Sequence, residues 1–245
     1  MRASLLCLVL ALLTACSQAP VIAAPARAAE SAVPAAQAAP PPVAQTTPPA
    51  PASPPLQEIA VDKDHPLVKI ETSLGDMVVQ LDAARAPLTV KNFLTYVKEH
   101  YYDGSGFYRV VHGFVIQGGD FTSDLSYHKP KHPPIPNESG NGFNNQRGAI
   151  GMGTEENDPH SAQAAFYINV VDNSRRLGPR PDRWGYAVFG QVVEGLDVMD
   201  KIAAVQTHDA VPKGGKPDDA FHDVPVDPVT IIKITLLPSP TTGKP

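Results

Sequence analysis

Apolar side chains recur through residues 65–238 with two different periods, and the shorter one dominates. Leu67–Thr72 and Met77–Leu81 are rich in β-branched and apolar residues, and Ser73-Leu74-Gly75-Asp76 between them is a hairpin signal. Runs of the same character follow at Phe107–Val111, Val115–Gln117, Ala149–Met152, Ala165–Val170, Ala187–Val193 and Val229–Leu236. Eight short strands divided by glycine- and proline-containing turns predict a sandwich or a closed barrel. The helical period appears twice. Pro87 opens a segment with Val90, Phe93, Leu94 and Val97 at i, i+3, i+4 and i+7. A second helix is predicted over Leu196–Ala203, with Leu196, Met199 and either Ile202 or Ala203 on its apolar side. A barrel with a helix plugging each end accounts for all ten elements, and 65–238 reads as one domain.

Composition changes ahead of that domain. Of the 27 prolines in the 245 residues, eleven lie between Pro20 and Pro55, where Arg27 and Glu30 are the only charges. So few aromatic and long aliphatic side chains cannot offset the entropy of ordering, and residues 17–64 are predicted to form a disordered tether. A short disordered tail, 239–245, is expected at the other end. Residues 1–16 combine Arg2, the apolar run Leu5–Leu13 and the small residues Thr14-Ala15-Cys16, the pattern of an export signal. The apolar run is too short to span a bilayer as a mature helix. Leu13-Thr14-Ala15-Cys16 resembles the bacterial lipobox, which implies that Cys16 is acylated, becomes the mature N-terminus and anchors the chain to a membrane facing the periplasm. Ser17 points to the outer membrane, with the inner membrane as the alternative. An ordinary cleaved signal with an incidental cysteine is the other reading. Cys7 and Cys16 are the only cysteines, so residues 17–245 can form no disulfide and carry no thiol chemistry.

A net charge of -5 argues against a nucleic-acid partner. The chemistry concentrates instead in residues 107–121, where FYRVV and FVIQ flank a His112-Gly113 turn and lead into Gly118-Gly119-Asp120. Two-residue alternation places Phe107, Arg109 and Val111 on one face and Tyr108 and Val110 on the other. One cation and one amide among apolar and aromatic residues suit a neutral, partly apolar ligand that needs one or two hydrogen bonds.

This segment resembles the signature of the cyclophilins, the peptidyl-prolyl cis-trans isomerases, in which Phe-His-Arg is followed by Gly-Phe, an apolar residue and Gln-Gly-Gly. The likeness extends over 67–237 and includes Gly185-Tyr186-Ala187-Val188-Phe189-Gly190 and the Thr207-His208 segment. It implies an eight-stranded antiparallel closed barrel capped by two α-helices, and an enzyme that speeds rotation about X-Pro bonds of exported polypeptides, assisting their folding. Arg109 takes the catalytic role. Phe114, Val115, Tyr167 and Leu177 form the pocket for the proline ring, and Tyr186 its rim. Gln117 bonds the substrate backbone. The Gly151-Met152-Gly153-Thr154 run, Gly153 and Thr154 above all, offers backbone groups in the manner of an edge strand. No cofactor or metal is implied, because no covalent bond changes partner, and a monomer is expected.

Three positions depart from the family's pattern. Tyr108 replaces its histidine, Ala165 replaces the glutamine of Gln-Phe-Phe, and Arg176 aligns with the Trp or Phe ahead of the pocket leucine. The last change predicts weak sensitivity to cyclosporin-type inhibitors. Together they keep a rival reading open, a prolyl-peptide-binding or chaperone module on the same fold without turnover. His128, His132 and His160 lie in proline-containing loops at spacings that match no metal site, with lysines alongside the first two.

Overall fold

The computed structural model describes residues 64–155 and 157–238. The signal, Cys16, nearly all of the tether and the tail expected from the sequence lie outside the described residues. The elements are β1 (Leu67–Thr72), β2 (Gly75–Leu81), α1 (Pro87–Lys98), β3 (Arg109–Val111), β4 (Val115–Gly118), β5 (Ala149–Met152), β6 (Phe166–Asn169), the one-turn α2 (Ser174–Leu177), β7 (Val188–Glu194), α3 (Leu196–Ala203), β8 (Thr207–Ala210), β9 (Phe221–Pro225) and β10 (Ile231–Leu236). Eight strands form one antiparallel sheet in the order β10-β1-β2-β7-β5-β6-β4-β3, and β8 pairs with β9 in a separate ribbon.

The fold is mainly β, but the expected closed barrel is corrected to an open half-barrel with β10 and β3 as its edges. β3 is only three residues long. Ahead of it the chain presses against the next loop, so that a Cβ on Gly106 would stand 2.9 Å from Ser123 Cα. The edges therefore meet only where the chain ahead of β3 reaches Val229 and Ile231 at the start of β10. Gly104 N–H donates to Ile231 O (2.9 Å), Ile231 N–H to Ser105 O (2.7 Å) and Phe107 N–H to Val229 O (2.9 Å). These bonds fix the curl without continuing the ladder.

Both long helices pack into the concavity. α1 buries Val90, Phe93, Tyr96 and Val97, and the Phe93 ring lies 5.2 Å from Tyr102, 5.2 Å from Phe189 and 5.8 Å from Phe166. Its first turn holds no acidic residue. Glu138, fifty residues away, takes that place: its carboxylate accepts from Leu88 N–H (3.1 Å), Thr89 N–H (2.8 Å) and the Thr89 hydroxyl (2.7 Å). α3 buries Val198, Met199, Ile202 and Ala203. Leu196, expected on the apolar side, is 38% exposed, because that stripe begins two residues into the helix and leaves Leu196 at its margin.

Candidate functional site

Sheet register builds the site. Arg109 on β3 opposes Gln117 on β4, Gln117 opposes Tyr167 on β6, and Tyr167 opposes Gly151 on β5. Directly opposed residues share a face, so the arginine, the amide and the phenol stand in one row. The adjacent row, Val110, Ile116, Ile168 and Ile150, is fully buried and faces the core. Alternation thus assigns one row to packing and leaves the other free for chemistry.

Arg109, Phe114, Val115, Gln117, Gly153, Thr154, Tyr167, Leu177 and Tyr186 line a cleft of about 460 Å³. Every cleft residue named from the sequence is brought together there. Val115 and Tyr167 form its buried floor, 4% and 5% exposed. The Tyr167 hydroxyl donates to Asn145 Oδ1 (2.7 Å), and its ring meets Tyr186 edge to face at 5.9 Å. Burial holds this phenol well above its ordinary pKa, so it stays neutral. Phe114 sits in the β3–β4 turn, where its carbonyl accepts from Val170 N–H (3.0 Å) and Asn173 Nδ2 (2.8 Å). Leu177 closes α2, and its carbonyl accepts from Tyr186 N–H (3.0 Å).

Arg109 is half-buried and forms no ion pair with a carboxylate among the described residues. Its Nη1 donates to Gln117 Oε1 (3.4 Å), while Gln117 Nε2 donates to the Tyr108 hydroxyl (2.7 Å). Behind Tyr108 lies the Asp120 carboxyl. Its interaction with the Tyr108 hydroxyl lowers its pKa, but desolvation outweighs this and pushes it up to about 6, and its Oδ1 is buried without a hydrogen-bond partner. Tyr108 itself is held far above its ordinary pKa by burial first and by the Asp120 charge second.

The structure corrects two readings of these segments. Phe107 does not share a face with Arg109: it belongs to the core cluster, whereas Tyr108 and Arg109 both border clefts. Regular alternation starts only at Arg109, where β3 begins. Nor is β5 an edge. It pairs with β6 on one side and β7 on the other, and Gly153 N–H is committed to Ala165 O (2.8 Å). Backbone docking can start only beyond Met152.

A second cleft of about 300 Å³ adjoins the first and shares Arg109, Gln117, Gly153 and Thr154 with it. Its aromatic wall is Tyr108, Phe121, Tyr127 and Phe221. Tyr108 lies 4.9 Å from Phe121 and 5.7 Å from Phe221. Sequence reasoning missed Phe121, Tyr127 and Phe221, and no local signal marks Phe221, which arrives on β9 from over a hundred residues away. The loop histidines have structural partners: His128 stacks on Tyr101 at 4.0 Å and His132 Nε2 stands 3.0 Å from Glu99 Oε1. Chemically, the main cleft offers an apolar slot for a compact ring and, at its lip, a cation held by an amide rather than neutralised by an acid.

Comparison with known proteins agrees with this geometry. The family model described as cyclophilin type peptidyl-prolyl cis-trans isomerase/CLD matches residues 67–236. The chain is 45% identical over 172 residues to peptidyl-prolyl cis-trans isomerase cyp18 of Streptomyces antibioticus, covering 69% of this chain and 98% of that protein. It is 42% identical over 172 residues to peptidyl-prolyl cis-trans isomerase B of Escherichia coli K12, covering 67% and 99% respectively. Among solved structures, it is similar to a cyclophilin type isomerase of Cryptosporidium parvum crystallised in the presence of the dipeptide Ala-Pro, with a TM-score of 0.54 at 21% identity, covering 70% of this chain and 99% of that one.

Proposed function

This chain belongs to the cyclophilin-type peptidyl-prolyl cis-trans isomerases, and from that premise we propose that Arg109 carries the catalysis and that the substrates are exported polypeptides. Rotation about an X-Pro bond is slow because amide resonance must be lost, a barrier of about 20 kcal/mol. Once conjugation breaks, the prolyl nitrogen regains its lone pair and can accept a hydrogen bond. A donor fixed at that nitrogen stabilises the twisted amide and does little for the planar one, which is the condition for acceleration. A guanidinium is well suited to be that donor, since it is always charged, carries rigid planar N–H groups and cannot lose its proton.

The observation that carries this reading is the shared row of Arg109, Gln117 and Tyr167, which sets the guanidinium and the amide beside a slot lined by Phe114, Val115, Tyr167 and Leu177. The proline ring enters that slot. Gln117 holds the guanidinium through Oε1, whose second lone pair still accepts from a substrate N–H. Thr154, beyond the paired part of β5, and the Tyr186 rim contact the substrate on either side. A coupled or NMR-detected isomerisation assay on a proline peptide tests the assignment: turnover is expected in the wild type and nearly lost in Arg109→Ala, and equal turnover in both refutes it.

Residues 1–16 support export and acylation at Cys16, which would leave the domain in the periplasm on the proline-rich tether, anchored to the outer membrane. Several acyl chains on one cysteine hold far more firmly than one. Labelling with a palmitate analogue is expected for the wild type and absent in Cys16→Ser; equal labelling of both refutes the anchor.

A further inference from the structure

Four of the chain's nine arginines, Arg175, Arg176, Arg180 and Arg183, fall within nine residues on α2 and the loop after it, and all four are exposed. Elsewhere Arg85 lies 3.5 Å from Asp82 and Arg147 2.6 Å from Asp200. No such carboxylate partner serves these four among the described residues. Three acids lie nearby and none forms an ion pair with these arginines among the described residues; Glu155 lines the groove between Thr154 and Arg183. Asp172 is engaged at the start of α2, where Oδ1 accepts from Ser174 N–H (2.9 Å) and Oγ (2.6 Å), and Asp182 is one charge among four.

Two of the guanidiniums are braced by backbone instead. Arg180 donates to Arg175 O, and Arg183 Nη2 donates to Arg176 O at 2.7 Å. Each has five N–H donors, so most point to solvent. Ordering them in advance lowers the entropy lost when an anion binds.

This patch is continuous with the proline cleft. Arg176 covers the Phe114 ring at 4.3 Å, and both Phe114 and Leu177 line that cleft. From Thr154 and Tyr186 a groove leads on to Arg183 and the 53% exposed Trp184, then to Arg180. An extended chain leaving the slot past Tyr186 meets arginines and an indole.

We propose that the Arg175–Arg183 segment is a specificity subsite for acidic residues a few positions from the proline, so that acidic proline-containing segments are favoured substrates. The inference rests on the isomerase reading of the adjoining cleft. That continuity favours a peptide over an anionic membrane as the occupant.

The test compares kcat/KM of the full chain on proline peptides carrying three glutamates, three glutamines or three lysines on either flank. For one flank, the glutamate peptide is expected to exceed its lysine counterpart by about five- to tenfold at low salt, the scale of two or three exposed ion pairs. The ratio should approach one in 1 M NaCl, where charges are screened within about 3 Å, and fall at least about threefold in Arg180→Gln/Arg183→Gln. The salt series needs no variant, so it decides the matter even if the loop rearranges. A ratio near one at low salt on both flanks overturns the proposal, as does a preference indifferent to salt and to both substitutions. Arginine-dependent sedimentation with phosphatidylglycerol vesicles, without a peptide preference, would assign the patch to a membrane and also overturn it. Turnover of none of the peptides would instead overturn the isomerase reading beneath it.

Discussion

Tyr167 occupies the space that a side chain at residue 151 would need: a Cβ on Gly151 would lie 2.4 Å from the Tyr167 hydroxyl oxygen. The two residues oppose each other across β5 and β6, and the phenol lies over the bare backbone to reach Asn145 Oδ1 at 2.7 Å. The floor of the proline slot exists because position 151 has no side chain.

Gly151→Ala must therefore displace the Tyr167 ring and break its bond to Asn145. Overpacking of this kind costs about 1–3 kcal/mol. Denaturant unfolding is expected to show a loss of that size, with a higher Michaelis constant for proline peptides. Unchanged stability and KM would mean that the ring moves freely and does not set the floor.

Tyr108→Phe removes the hydroxyl that accepts from Gln117 Nε2, while the ring can keep its contacts with Phe121 and Phe221. A hydrogen bond of this type is worth about 1 kcal/mol. The kcat/KM of the variant is expected to fall about three- to tenfold with the fold intact, because Gln117 then orients Arg109 less firmly. A change below about 1.5-fold would detach Tyr108 from the arginine.

Asp120 makes stability depend on pH. Its folded pKa is raised from 3.8 to about 6, so the fold favours the protonated carboxyl. The stabilisation is complete below about pH 4, where the unfolded chain is also protonated, and is lost as pH rises through 6. Asp120→Asn cannot ionise. Between pH 4 and pH 7 the stability of the variant relative to the wild type is expected to rise by about 1–3 kcal/mol. A difference independent of pH would show that the carboxyl is not desolvated.

Arg176 stands over Phe114 at 4.3 Å, where the family resemblance places an aromatic residue used by cyclosporin-type inhibitors. Weak inhibition of the wild type is expected. Arg176→Trp should tighten it about three- to tenfold, the range of an added aromatic contact. Equal inhibition of both proteins would remove residue 176 from the inhibitor surface.

Much of this was legible locally. The eight sheet strands and the two long helices follow from short-range apolar periods, and α3 keeps the expected bounds, Leu196–Ala203. The nine cleft residues came from the family signature rather than from periodicity, which cannot report which strand lies beside which. What escaped was non-local. The sheet stays open because β3 is short and the chain at Gly106 is pinned to Ser123, a contact that no alternation announces. Phe107 turns into the core for the same reason, since the regular strand begins two residues later. Phe221 reaches the second cleft on a ribbon, β8–β9, whose pairing joins segments eleven or more residues apart and whose inner positions are not strongly apolar.

The central claim is that Arg109 acts on the twisted amide and little on the planar one. The most direct measurement is NMR exchange on one proline peptide, giving both the catalysed cis-trans rate and the dissociation constant for wild type and Arg109→Ala. The rate is expected to fall about 10²-fold or more, the scale of losing one fixed donor to a transition state, while the dissociation constant changes less than about threefold. A rate that falls only in proportion to weakened binding would contradict the account, because Arg109 would then hold the ground state and the turning bond alike.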